Sequence, residues 1–156
     1  MKELTLFPQL LISEVKLIYL TKVKSSDRLQ IKCSKDAFEI FMNVWDKNSI
    51  EHHEEFMLLL LNRSNKVLGV TKISQGGTTG TVTDVKIILQ YAIKSNSCGI
   101  IISHNHPSGN LNPSESDSRI TQKVKQAAEI MDIQLLDHLI LTPDNEFYSF
   151  ADNGLL

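Results

Sequence analysis

The run Phe56-Met57-Leu58-Leu59-Leu60-Leu61 has no polar side chain to turn toward water. Such a run fits a strand buried on both faces, so the chain must supply a covering layer on each side of it. Residues 62–66 (NRSNK) have turn chemistry and residues 67–73 answer as a second strand, so the pair reads as a hairpin. Residues 15–20 (VKLIYL) read as a further strand and 22–30 as a polar loop. Ser34 reads as the cap of a helix to about Trp45, with Phe38, Phe41, Met42 and Trp45 along one face. Thr83 reads as the cap of the next helix, where Val85, Ile88, Leu89 and Ala92 make the apolar stripe. Residues 99–103 (GIIIS) read as a short buried strand, followed by a polar loop over 104–113. A helix from Ser114 to about Met131 turns Ile120, Val124, Ala127 and Met131 inward. Residues 134–141 read as a last long strand and 146–150 as an added edge. The expected fold is α/β, a single domain with a mixed, largely antiparallel sheet flanked by helices. Residues 1–50 are expected to add an N-terminal strand and helix to the domain whose body is 51–156.

The length of 156 residues fits one core, and 42% apolar with 22% charged residues is ordinary for a globular chain. A net charge of −2 excludes a molecule that attracts nucleic acid over its whole surface. One stretch departs from this balance: residues 15–35 hold six basic side chains (Lys16, Lys22, Lys24, Arg28, Lys32, Lys35) against the single acid Asp27. A solvated edge explains it, and a weak phosphate contact is the sharper reading. Cys33 and Cys98 are isolated, which suits reduced thiols in the cytoplasm rather than a disulfide scaffold. No stretch approaches the roughly 18 apolar residues of a membrane span, and residues 1–11 lack the layout of a signal peptide.

The segment from Ser103 to Asp117 carries the chemistry. His104 and His106 are two apart, so in extended backbone their imidazoles leave the same face. Asp117 falls in the first turn of the following helix, within reach of the same ion if that helix packs against the strand. Two histidines and one carboxylate make a three-ligand set, which leaves the fourth tetrahedral position open, as catalytic zinc sites do. Such a site also needs a base that is not a ligand, and Glu54 stands just before the buried strand, where a charge fits the rim of a site. Ser114 is placed to donate a hydrogen bond to an oxyanion. Each residue also has a plain reading: satisfied loop histidines, a helix capping box formed by Ser114 and Asp117, and a solvent-facing Glu54.

The order His-x-His-Pro, six residues, Ser, two residues, Asp, with a Glu upstream, resembles the JAMM motif of JAB/MPN-type zinc metallopeptidases. The string His104-Asn105-His106-Pro107-Ser108-Gly109 resembles the RadC-like branch of that superfamily, as do Glu54-Glu55-Phe56, Leu136-Asp137-His138 and Tyr148-Ser149-Phe150. The resemblance covers about residues 51–156. It implies Zn2+ held by His104, His106 and Asp117, Glu54 as general acid/base, Ser114 on the oxyanion side, and hydrolysis of peptide or isopeptide bonds. Asn105 stands where deubiquitinating members carry Ser or Thr, so a ubiquitin-like substrate is not implied. The helix-hairpin-helix DNA-binding element of many RadC-like proteins has no counterpart before Ser34. His138 reads as a strand histidine rather than a further ligand.

Two function classes follow. The first is a zinc hydrolase acting on a peptide or protein substrate. The second is a non-enzymatic accessory of DNA repair or mobile elements, using the fold as an interaction platform and the basic stretch to meet nucleic acid. A zinc deaminase would need H-x-E and P-C-x-x-C, and neither is present. His104-Asn105-His106 is a contiguous string, unlike the scattered residues that give HNH nucleases their name. No membrane partner is expected. Nothing in the residues selects a substrate or an oligomeric state, a dimer included.

Overall fold

The structure, a computed structural model, describes residues 13, 15, 16, 18–76 and 83–156. Its elements in chain order are helix α1 (Ser34–Val44), strands β1 (Glu55–Leu61) and β2 (Val67–Gln75), helix α2 (Val85–Lys94), strand β3 (Gly99–Asn105), helix α3 (Glu115–Ile130), and strands β4 (Gln134–Leu141) and β5 (Phe147–Ser149). Among the described residues the five strands form one sheet in the order β2-β1-β3-β4-β5. Every neighbouring pair is antiparallel except β3 and β4, which run parallel with α3 as the crossover between them. The fold is therefore the expected single α/β domain with a mixed sheet. No helix among the described residues is long and apolar enough to cross a membrane.

The apolar run of β1 is divided by the period of two of a strand. Met57, Leu59 and Leu61 pack on one side with Phe38 and Phe41 of α1, Trp45 at its end, and Leu139 and Leu141 of β4. Phe56, Leu58 and Leu60 pack on the other with Val85 and Ile88 of α2, Ile100 and Ile102 of β3, and Val124 and Ala128 of α3. Strand β3 is buried along its whole length between these two cores, which places whatever stands at its C-terminal end on one face or the other.

Several local expectations are corrected. None of the described residues among 15–20 is in a strand; Val15, Ile18 and Leu20 are exposed. Their pattern is apolar, and the Tyr19 hydroxyl ties the segment to the sheet by donating to the Leu68 carbonyl (2.7 Å). The first helix is capped by Cys33 and not Ser34: the Asp36 carboxylate accepts from the amides of Cys33 and Lys32, and Ser34 is already helical. Asp84, not Thr83, caps α2, because its carboxylate accepts the Lys86 amide at 2.9 Å. Met131 lies past the last turn of α3 and is half exposed, whereas Val124 is buried and Ile120 and Ala127 pack against the core. The loop expected over 104–113 begins later, since β3 runs through Asn105. Residues 75–80 (QGGTTG) read from the sequence as a flexible loop, and most of them lie outside the described residues.

Asn105 anchors the approach to β1. Its side chain is fully buried; its oxygen accepts the Glu55 amide (2.7 Å), and its NH2 group donates to the carbonyls of Ile50 (2.8 Å) and His53 (2.9 Å). The Glu54 carbonyl in turn accepts the Gly76 amide at 2.8 Å. The backbone carrying Glu54 is thus held from β3 on one side and the end of β2 on the other.

Truncation of Phe41, fully buried beneath α1, is expected to cost about 3–5 kcal/mol in chemical denaturation, against no more than about 0.5 kcal/mol for Ile130→Ala on the exposed side of α3. Asn105→Ala removes three hydrogen bonds, two of them buried, and leaves their partners unpaired, so a loss of roughly 2–4 kcal/mol is expected in the same measurement.

Candidate metal centre

His104 stands in the last turn of the β3 pleat and His106 just beyond it, and the His106 amide still bonds the Leu141 carbonyl of β4 (2.8 Å). Extended backbone up to this point sends both imidazoles to the α3 side and the intervening Asn105 to the other. Asp117 is the third residue of α3. The three side chains expected as ligands are brought together: their ligand atoms lie within 4.8 Å of one another. His104 Nε2 is 3.0 Å from His106 Nε2 and 3.2 Å from Asp117 Oδ1, and His106 Nε2 is 3.6 Å from Asp117 Oδ2.

The orientation of each group is set by its other atoms. His106 Nδ1 donates to the Asn110 carbonyl (2.6 Å), a contact made possible by the turn through Pro107 to Gly109, where Gly109 takes a positive φ of 78°. His104 Nδ1 bonds His138 Nε2 at 2.8 Å. Both rings therefore spend Nδ1 outward and present Nε2 to the centre. Asp117 is at once the capping-box carboxylate of α3 and the third member of the cluster. The Ser114 amide donates to its Oδ2 (2.7 Å), and its own amide donates to Ser114 Oγ (3.1 Å). The cap expected as the plain reading of Ser114 and Asp117 is real, and it aims the carboxylate at the histidines rather than away from them.

The electrostatics follow from this crowding. Burial opposes ionisation of Asp117, yet the hydrogen bonds to His104, His106 and Ser114 outweigh it and hold the carboxyl far below the usual carboxylate range. Burial likewise pulls the His106 imidazole down, but its bonds to Asp117 and the Asn110 carbonyl, with the charges of Asp117 and Glu54, raise it above the ordinary value. Two imidazole nitrogens 3.0 Å apart, with both Nδ1 atoms committed elsewhere, can share a proton or a metal ion between them. The donor set of two nitrogens and a carboxylate oxygen could hold a divalent metal ion.

Glu54 is half-buried just ahead of β1, and its charge is close enough to act on His106. Glu55, one residue on, belongs elsewhere: it is buried and pairs with Lys72 (2.6 Å) and His53 (3.1 Å). Ser114 is exposed at the mouth of the cluster, with its oxygen accepting the Asp117 amide. The contact of His138 with the cluster is the least visible in the sequence. It is fully buried, touches His104 rather than the cluster's centre, and bonds Thr121 Oγ1 through its Nδ1 (2.6 Å). Burial, then the neighbouring His104, pushes its imidazole well below the ordinary value. Its distance of 34 residues from His104 gives no local pattern to read.

Relatives share this chain's sequence over most of its length. The family profile described as the RadC-like JAB domain matches residues 31–155. A UPF0758 protein of Flavobacterium johnsoniae is 44% identical over 135 residues, which are 85% of this chain and 57% of that protein. The UPF0758 protein YfjY of Escherichia coli is 39% identical over 103 residues, 66% of this chain and 64% of its own length. A UPF0758 protein of Aquifex aeolicus is 36% identical over 129 residues, 83% of this chain and 54% of that protein. The chain thus spans a little more than half the length of these curated relatives. With the profile covering four fifths of its residues, including every member of the cluster, the chain belongs to the RadC-like JAB domain family.

Proposed function

We propose that this chain is a zinc-dependent hydrolase of peptide or isopeptide bonds. The observation that carries the reading is the convergence of His104 Nε2, His106 Nε2 and the Asp117 carboxylate within 4.8 Å, beside a Glu54 whose charge reaches His106. His104, His106 and Asp117 would hold the ion. Zinc in a three-ligand site acts as a Lewis acid and makes water a competent nucleophile near neutral pH.

The chain's own groups supply the rest. Glu54, held in place through the backbone bonds around Asn105 and Gly76, takes a proton from the attacking water and returns one to the leaving amine as the carbonyl–nitrogen bond breaks. Ser114 Oγ accepts the Asp117 amide, which leaves its O–H to donate to the oxyanion that develops on the substrate carbonyl. The cap that orients Asp117 therefore also sets the direction of the Ser114 hydroxyl.

A second reading, contact with nucleic acid by a non-enzymatic accessory, draws on the exposed Lys22, Lys24 and Lys32 of the basic stretch. If it holds, binding to single-stranded or duplex DNA weakens steeply between about 50 and 200 mM salt; no binding at low salt removes it.

Zinc-replete protein is expected to carry one zinc per chain by elemental analysis. Glu54→Gln is expected to keep the metal and lose about 10²- to 10⁴-fold in hydrolysis of a peptide library, whereas His106→Ala and Asp117→Ala lose the metal itself. A wild-type chain free of zinc after that preparation contradicts the proposal.

A further inference from the structure

Four groups behind the metal cluster form a closed hydrogen-bonded circuit. Thr121 Oγ1 lies 2.5 Å from the Asp117 carbonyl and 2.6 Å from His138 Nδ1; His138 Nε2 lies 2.8 Å from His104 Nδ1. A backbone carbonyl only accepts, so it takes the hydroxyl hydrogen of Thr121. Thr121 Oγ1 must then accept from His138, which places a hydrogen on His138 Nδ1. The remaining His138 nitrogen, Nε2, is left as an acceptor for His104 Nδ1–H. With Nδ1 committed to His138, the atom His104 can offer a metal is Nε2, which faces His106 and Asp117. Each direction follows from the one before, and the whole series is fixed by the carbonyl of Asp117, itself a member of the cluster.

The surroundings hold the rings in this arrangement. Thr121 and His138 are fully buried. Phe150 stacks on His138 at 4.7 Å and 15°, and Phe56 lies parallel to His104 at 6.2 Å and 5°. The neighbouring Asp137 carboxylate accepts from the amides of His138 and Ala151 and the Ser149 hydroxyl, while the two nitrogens of the His138 ring bond Thr121 and His104.

We infer that His138 is a positioning residue for the metal: as the neutral Nδ1-protonated tautomer, locked by Thr121, it orients His104 as an Nε2 ligand. The inference rests on the metal reading of the cluster. Histidine ligands more often give their second N–H to a carboxylate, a carbonyl or water. A neutral imidazole does the same orienting work without adding negative charge to a set that already contains Asp117. It also couples two ligands, since the Asp117 backbone and the His104 ring are the two ends of one circuit.

The test has two readouts. Long-range proton–nitrogen correlation spectra of metal-free, histidine-labelled protein at neutral pH are expected to show His138 protonated at Nδ1 and bare at Nε2. Zinc affinity, measured by competition with a chromophoric chelator, is expected to fall about 10- to 100-fold in His138→Ala. His138→Gln, whose amide oxygen reaches as far as Nε2, recovers most of that loss. Thr121→Val keeps the packing and releases the lock, so both His138 tautomers appear and affinity falls several-fold. An Nε2-protonated or cationic His138 overturns the inference. So does wild-type affinity in a folded His138→Ala or in Thr121→Val. A wild-type chain that takes up no zinc, while metal-free His138 shows the stated tautomer, overturns the metal reading and reduces His138 to packing.

Discussion

Strand β3 is covered on both faces, so the alternation of side chains at its end is not free to slip. That single restriction assigns His104 and His106 to the α3 side, where Asp117 waits, and Asn105 to the α1 side, where it gathers the Ile50 and His53 carbonyls and the Glu55 amide. Three consecutive residues thereby do two jobs: the histidines form the cluster, and the asparagine holds the backbone that brings Glu54 to it. Loss of either core would remove the restriction, because an exposed end of β3 would gain little from one register over another.

Helix α3 contributes in the same economical way. Its first turn must satisfy amides that have no partner inside the helix, and Asp117 satisfies one of them with an oxygen that also faces the histidines. Capping and clustering share the carboxylate: Oδ2 accepts the Ser114 amide and lies 3.6 Å from His106 Nε2, while Oδ1 meets His104. The positive end of the helix dipole favours the anionic carboxylate in the same direction.

Much of this was legible in the residues. The leucine run named an inner strand of the sheet, the turn after it named the hairpin, and His104, His106 and Asp117 were readable from spacing because strand and helix periods act locally. What escaped depended on partners distant in sequence. Residues 15–20 carry a strand's composition, yet the described ones among them pair with no strand. Cys33 or Ser34, and Thr83 or Asp84, are adjacent choices whose local chemistry differs little, and the outcome turned on where the carboxylates of Asp36 and Asp84 found amides. His138 looked like a strand histidine, which it is; that its ring closes a circuit with His104 and Thr121 requires the parallel pairing of β3 and β4 to be known.

The pairing register has a consequence for how such a chain can vary in length. Phe56, His104 and Ile140 lie in one row across three strands. A one-residue insertion inside β3 would trade the two faces, sending an amide to the cluster and imidazoles into the apolar layer under α1. An insertion of two would restore the faces but shift the row. The stretch between His106 and Ser114 obeys no such parity, because its geometry needs only the Asn110 carbonyl near His106 and the cap at Ser114. Changes in length that keep the site therefore belong in that loop, directly above the cluster, where added residues would reshape what can approach it and leave the ligands where they are.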